Sequence, residues 1–209
     1  MTDREKIVEY LRGGSQGKLD LRWGKLANIS LRCADLNGID LSDADLSCSD
    51  LRGANLRGAN LWGTNLNGVN LSGVDLSGLN LSGCGLSNAN LSEADLSNAN
   101  LSHVCLKDSD LSCADLRFAN LSNADLSCTY LNNTLFRGSD TSGTNFHLSY
   151  ATDVDKAFNL GYGYIRFDDE ERGTYGKYSG SWASDVEGLD DDFIQDVLGG
   201  EPDAYWSID

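Results

Sequence analysis

Leucine recurs at every fifth position through more than half of the chain. The series runs from Leu21 to Leu131 without a gap, and Phe136 and Phe146 continue its phase. The residue two positions before each leucine is usually small or apolar, and the residue directly before it is usually Asp or Asn. A period of five matches neither the two-residue alternation of a flat strand nor the 3.6-residue turn of a helix. The chain must therefore turn within every repeat.

Each repeat can bury two of its residues and expose three. If a repeat is one short extended side that ends in a corner, the leucine and the small residue point inward. Glycine at the corner in the first half of the series, and often asparagine in the second half, indicates turns with positive φ. The pattern predicts a coil with a filled axis, in which each buried leucine contributes about 2 kcal/mol.

The repeat units closely resemble those of the pentapeptide-repeat family. Ala-Asn-Leu-Ser-Asn and Ala-Asp-Leu-Ser-Asn, found between positions 89 and 123, carry the resemblance, which covers residues 19–150. It implies an all-β solenoid, a right-handed quadrilateral β-helix with four repeats per coil. The 26 central positions from Leu21 to Phe146 then give about 6.5 coils and a rod about 30 Å long. Residues 20 apart would share one column.

Short helices are expected to cap both ends of the repeat region. An open β-helix presents unpaired backbone at its termini, which favours end-to-end association unless the ends are covered. We expect an N-terminal helical cap over residues 1–18, where Thr2 and Glu5 fit a capping box, and a C-terminal capping helix over residues 151–161. The N-terminal helix would present one apolar face, formed by Ile7, Val8 and Leu11.

Residues 162–209 form a segment of different composition. They hold 13 acidic residues against three basic ones, and so carry ten of the sixteen net negative charges of the chain. The segment is also rich in aromatic residues, including Phe193 and Trp206, which is unusual for an inert linker. Asp190 fits the start of an amphipathic helix that could pack on the solenoid, on a second copy of the chain or on a partner.

The charge and the apolar pattern exclude several classes of partner. A net charge of -16 argues against direct nucleic-acid binding, which relies on Lys and Arg at the phosphates, although an acidic surface can imitate nucleic acid. No stretch approaches the length of a membrane span or of a signal-peptide core. We therefore expect a cytoplasmic protein with reduced cysteines.

No set of residues in the sequence is typical of catalysis or of metal binding. His103 and His147 are the only histidines, and they fall in different columns. Cys84 would point inward, whereas His103 and Cys105 would point outward on opposite sides of Val104. We expect a protein that is not an enzyme and that has no metal, cofactor-binding or catalytic site.

The candidate interaction surface consists of charged columns and of the tail aromatics. Like charges about 4.8 Å apart repel by roughly 1 kcal/mol in water, so an acidic column is expected to be exposed and tolerated. Arg32 and Arg52 share a column and Arg57 lies at the next corner, where they form small basic spots or simply cover neighbouring ladders. The candidate residues are Asp75, Asp95, Asp115, Arg32, Arg52, Arg57, Phe193 and Trp206.

These features favour a non-catalytic scaffold that binds a protein partner through its flat faces, its acidic tail or both. The family resemblance implies an alternative, because some pentapeptide-repeat proteins imitate B-form DNA and bind DNA gyrase, which they inhibit or protect from quinolones. Those members are typically end-to-end dimers joined through C-terminal caps. The long tail here departs from that arrangement, so a monomer and an end-to-end dimer both remain open.

Overall fold

The computed structural model describes residues 1–13 and 19–151. Its one α-helix in this part of the chain is α1, Asp3–Leu11. The Thr2 hydroxyl oxygen accepts the Glu5 N–H at 3.2 Å, and the Glu5 carboxylate accepts the Thr2 N–H at 2.7 Å. The predicted capping box is confirmed.

Helix α1 contacts the first repeats through one apolar side chain and two polar contacts. Ile7 is completely buried and belongs to the same core cluster as the leucines. The Lys25 N–H donates to the Asp3 carboxylate at 3.1 Å, and the Arg4 guanidinium donates to a backbone carbonyl oxygen. The buried apolar face of the helix is smaller than expected, because Val8 and Leu11 are both 38% exposed. Adjacent helix positions differ by about 100°, so the side of the helix that buries Ile7 does not also bury Val8.

Parallel backbone bridges join residues 20 apart along the repeat region. They run from Asp20–Asp40 to Tyr130–Tyr150 as single-residue contacts, and the described residues contain no longer strand. The Leu96 N–H donates to the Asp115 carbonyl at 2.8 Å, and the Asp115 N–H donates to a carbonyl one coil earlier at 2.9 Å. This 20-residue register is that of four five-residue sides per coil.

A tight turn closes every repeat. In a representative repeat the Ala94 N–H donates to the Leu91 carbonyl at 3.1 Å, and the intervening corner residue, Glu93, has a φ of 61°. Every corner residue from Trp23 to Leu148 has positive φ. The positive φ predicted from glycine and asparagine is therefore a property of the corner itself, and Cys, Asp, His, Phe and Trp adopt it as well.

The core is the column of central residues together with the small inward residues. Each leucine of the every-fifth series from Leu21 to Leu131 is at most 3% exposed, which confirms the predicted inward positions. Where the small residue carries a hydroxyl, that group donates to the carbonyl of a central residue, as Thr64 does to Leu41 at 2.9 Å and Thr134 to Leu111 at 2.7 Å. The described residues contain no buried side-chain N or O atom without a hydrogen-bond partner.

The backbone ladder has two open steps. No bridge joins Asn55 to Asp75 or Asn60 to Asn80, although both columns continue on either side of these steps. The Arg57 guanidinium spans the first step and donates to the Asp75 carboxylate at 3.0 Å. A side-chain ion pair thus connects the two coils where the backbone bridge is missing.

The number of complete coils and the capping role of the ends stay predictions. The proposed helix over residues 151–161 and the acidic segment 162–209 lie outside the described residues. So do residues 14–18, the last part of the expected N-terminal cap; the observed helix ends at Leu11 with Arg12 as its C-cap, and Gly13 follows with a φ of 77°.

We expect the Leu96→Ala variant to lose about 2–5 kcal/mol of unfolding free energy, because it leaves a cavity in a filled column. Leu96 is 0% exposed, whereas Leu135 occupies the outward position before the central residue Phe136 and is 40% exposed. The Leu135→Ala control is expected to change stability by less than about 1 kcal/mol. Urea unfolding of the full-length variants, followed by circular dichroism, measures both. Equal losses in the two variants would contradict the inward assignment.

Candidate functional site

The three aspartates of the candidate acidic column stack as expected. Asp75 bridges to Asp95, and Asp95 bridges to Asp115. Each carboxylate also accepts the backbone N–H of the residue two positions later, at 3.1 Å from Ser77, 2.9 Å from Ser97 and 3.0 Å from Arg117. The same bond recurs at most of the Asp and Asn residues that precede a leucine, and it is the Asx-turn interaction. These aspartates therefore have a structural role in the turns, in addition to any role in binding a partner.

The acidic column is less exposed than the sequence predicted, and two of its carboxylates form ion pairs. The Arg117 guanidinium lies 2.5 Å from the Asp115 carboxylate, and only 20% of the Asp115 side chain is exposed. At the other end, Arg57 lies 3.0 Å from Asp75, whose side chain is 39% exposed. The hydrogen bond from Arg117 lowers the pKa of Asp115, and the hydrogen bond from the Ser77 hydroxyl lowers that of Asp75, with a smaller contribution from Arg57. Hydrogen bonds from Arg57 and Arg117 thus partly neutralise the negative charge at both ends of the column.

The candidate arginines form ion pairs and not isolated basic spots. Arg52 donates to the Asp50 carboxylate at 2.6 Å, and Arg32, one coil earlier, lies 3.9 Å from the same group. The hydrogen bond from Arg52 is the main cause that lowers the pKa of Asp50 to about 2. Arg57 pairs with Asp75 in the same way. These contacts fit the second interpretation given to the arginines, that they cover neighbouring ladders.

Phe193 and Trp206, the tail members of the candidate surface, lie outside the described residues. The structure therefore brings together the three aspartates and places Arg57 against Asp75, while the Asp50 cluster of Arg32 and Arg52 is separate.

Sequence reasoning missed a set of exposed rings on the repeats. Trp23, Trp62 and Phe118 are 72%, 54% and 61% exposed, and Tyr130 stacks on Tyr150 with ring centroids 5.3 Å apart. The signal was present in the sequence, because an aromatic residue at an outward position of the repeat cannot contribute to the filled axis.

The described residues contain no group of three His, Cys, Asp or Glu side chains that could hold a metal ion. Cys84 is buried, its thiol lies 2.9 Å from the Leu61 carbonyl, and burial raises its pKa to about 12. A thiol with this pKa is almost entirely protonated at neutral pH and is therefore a poor nucleophile. None of the helices in the described part of the chain is both long and apolar enough to cross a membrane.

A family model described as Pentapeptide repeats matches the chain in eight copies and covers more than half of it. The matched segments are residues 20–58, 34–73, 49–86, 75–112 and 114–150. No curated protein has a significant sequence match.

Solved pentapeptide-repeat structures are similar to parts of the chain. Rfr23 from the cyanobacterium Cyanothece 51142 is 29% identical over 54% of this chain and 61% of its own, with a TM-score of 0.24. HetL from Nostoc sp. strain PCC 7120, involved in heterocyst differentiation regulation, is 26% identical over 72% of this chain and 94% of its own, with a TM-score of 0.23.

QnrB1, a plasmid-mediated fluoroquinolone resistance protein, is 22% identical over 62% of this chain and 64% of its own, with a TM-score of 0.38. The match spans less than two thirds of the Rfr23 and QnrB1 chains. Because all three TM-scores are below 0.5, the repeat match alone carries the family assignment.

The Asp50 cluster predicts a loss of stability in acid. A carboxylate whose pKa falls on folding stabilises the protein fully above its unfolded value, about 3.9. That stabilisation disappears as the pH falls through the folded value, which is about 2 for Asp50. We expect the Asp50→Asn variant, which keeps the Asx acceptor but cannot ionise, to be less stable than the wild type at pH 6. The difference should close between about pH 4 and pH 2.

Thermal unfolding of both proteins across this pH range measures the difference. Arg52→Gln provides the control, because Asp50→Asn should have a much smaller effect in that background. A difference between Asp50→Asn and wild type that is independent of pH would show that the ion pair does not stabilise the fold.

Proposed function

The chain belongs to the pentapeptide-repeat family, and we propose that it is a non-catalytic scaffold that binds a protein partner through its outer surface. Proteins of this family are generally structural or interaction proteins, and their fold is a right-handed quadrilateral β-helix. We also propose the finer architecture expected from the sequence, with about 6.5 coils between two helical caps.

The observation that carries the proposal is the division of every repeat into an inward and an outward set. The inward residues and the corner hydrogen bonds are fully used by folding, whereas the outward rings Trp23, Trp62 and Phe118 contribute little to the core and are more than half exposed. Contiguous exposed apolar groups are typical of interaction sites, and Trp23 and Trp62 lie two coils apart along one edge of the repeat region. The acidic segment 162–209 adds Phe193 and Trp206 as candidate contacts.

Affinity capture from the native lysate with the full-length chain as bait tests the scaffold. We expect a protein partner to be retained, and we expect Phe193→Ala with Trp206→Ala to reduce its recovery at least about five-fold, equivalent to about 1 kcal/mol. Ser122→Ala, which removes neither a charge nor a ring, is the matched control. If quantitative mass spectrometry finds no protein enriched on the wild-type bait over an empty resin, the scaffold proposal fails.

A second function, imitation of DNA at gyrase, is favoured by one specific observation. Asp75, Asp95 and Asp115 stack in a single column, and regularly spaced carboxylates on a rod can stand in for phosphates. The ion pairs with Arg57 and Arg117 reduce the charge that this column offers. We therefore rank this function second.

A supercoiling assay with purified gyrase, DNA and ATP, with and without a quinolone, tests the second function. If the column imitates DNA, the protein inhibits or protects gyrase, and replacing Asp75, Asp95 and Asp115 by Asn abolishes the effect while the Asx bonds hold the fold. The control replaces Asp20, Asp40 and Asp140, which share another column, and so removes the same charge. No effect at micromolar protein, or equal losses in both triple variants, excludes this column.

A further inference from the structure

Two exposed tryptophans lie along one edge of the repeat region. Trp23 is 72% exposed and occupies a corner, and Trp62 is 54% exposed and occupies the position directly before a corner. Their corners, Trp23 and Gly63, belong to one column, in which Asp43 is the corner between them. Tryptophan buries a large area when it meets a partner, so two of them on one edge form a patch that folding does not require.

The backbone register places Asp43 between the two tryptophans. The Trp23 N–H donates to the Ser42 carbonyl at 3.1 Å, and the Asp43 N–H donates to the Trp62 carbonyl at 2.9 Å. The coil that carries Asp43 is therefore sandwiched between the coils that carry the indoles. Two coil steps separate the two tryptophan backbones by about 10 Å.

Asp43 differs from the aspartates that shape turns. It is a corner residue with a φ of 57°, and in the part of the chain that the structure describes its carboxylate forms no hydrogen bond or ion pair. A Cβ placed on Gly63 would lie 2.5 Å from the Asp43 carboxylate oxygen, so the carboxylate lies over that glycine. One coil further, the Trp62 indole nitrogen lies 3.9 Å from the position of a Cβ on Gly83. Because Gly63 and Gly83 have no side chains, they leave space beside the Asp43 carboxylate and the Trp62 indole.

We propose that Trp23, Asp43 and Trp62 form a binding site for an arginine side chain in a basic segment of a partner protein. A guanidinium stacks on an aromatic face and donates two parallel hydrogen bonds to a carboxylate, so one side chain satisfies both kinds of group. The chain outside residues 162–209 carries six net negative charges, and this excess attracts a basic segment from a distance. This site rests on the proposed scaffold function and specifies the chemistry of its partner.

Arginine fits this site better than lysine does. The lysine ammonium is a compact, strongly hydrated charge that cannot stack as a plane, and the arginine guanidinium is planar and weakly hydrated. A sugar ring could also stack on an indole and donate a hydroxyl to the Asp43 carboxylate, but a neutral glycan lacks the positive charge that pairs with it. The carboxylate therefore favours a cationic peptide.

Nuclear magnetic resonance of the full-length chain, labelled with ¹⁵N at tryptophan, tests the site. The chain has four tryptophans, and Trp→Phe variants assign their indole N–H signals. The probe is a short peptide with two arginines separated by glycines, titrated at about 0.15 M salt to screen long-range attraction. We expect the Trp23 and Trp62 signals to shift together with a single dissociation constant.

The Asp43→Asn variant should weaken binding of the arginine peptide at least about five-fold, since it removes the charge from the hydrogen-bonded pair. Asp108→Asn is the control, because Asp108 is also a corner aspartate, with a φ of 58°, and its column neighbours are Asn88 and Cys128. Asp108 is exposed, whereas Asp43 is half-buried. The control variant removes the same charge away from the indoles and should leave the dissociation constant nearly unchanged.

Several outcomes would overturn the site. These are indole signals that do not move, equal weakening by Asp43→Asn and Asp108→Asn, equally tight binding of the matching lysine peptide, or shifts of the same signals by cellohexaose instead of the arginine peptide. The last outcome would replace the peptide with a glycan.

The experiment also separates this site from the scaffold itself. Capture of a partner without binding of the arginine peptide rejects the site and leaves the scaffold standing. Binding of the peptide by a chain that captures no partner supports the site and rejects the scaffold.

Discussion

The left-handed corner is the constraint on which the rest of the structure depends. A chain that turns after every five residues needs a backbone conformation that changes its direction without a long loop, and the positive φ of one corner residue provides this conformation. Once the corner is set, the N–H of the small residue reaches the leucine carbonyl, and both side chains face the axis. The same corner brings residues 20 apart into register, so the inter-coil bonds such as that from Leu96 to Asp115 follow from it.

The Asx bond explains why Asp and Asn dominate the position before each leucine. Either residue supplies the oxygen that accepts the N–H two positions later, as Asp95 does for Ser97 and Asn100 does for Ser102. Asp and Asn are therefore nearly equivalent for forming the turn, but only Asp adds a negative charge. The negative charge of the repeat region is partly a by-product of turn chemistry, which is why the stacked column by itself is weak support for imitation of DNA.

The fold could be predicted from the sequence because it depends on one period, and the surface could not because it depends on local pairing. The leucine series located the core, and Gly and Asn located the corners. The repeat period does not encode the reach of an arginine side chain. The covering of neighbouring ladders by arginines was foreseen as one alternative, but the individual bonds from Arg57 to Asp75 and from Arg52 to Asp50 were not. Val8 and Leu11 were misjudged because a nine-residue helix touches the core through fewer residues than its apolar pattern indicates.

The residue types at the corners separate the demands of folding from those of recognition. Glycine adopts positive φ without strain, whereas a non-glycine residue there costs about 1–2 kcal/mol, and no Val, Ile or Thr occupies a corner between Trp23 and Leu148. Folding would therefore favour glycine at position 23. A tryptophan that is 72% exposed recovers little of that strain by burial, so its stabilising contacts are expected with a partner. The carboxylate of Asp43 forms no turn bond in the described structure, in contrast to those of Asp75, Asp95 and Asp115, so its charge remains available to a partner at this edge.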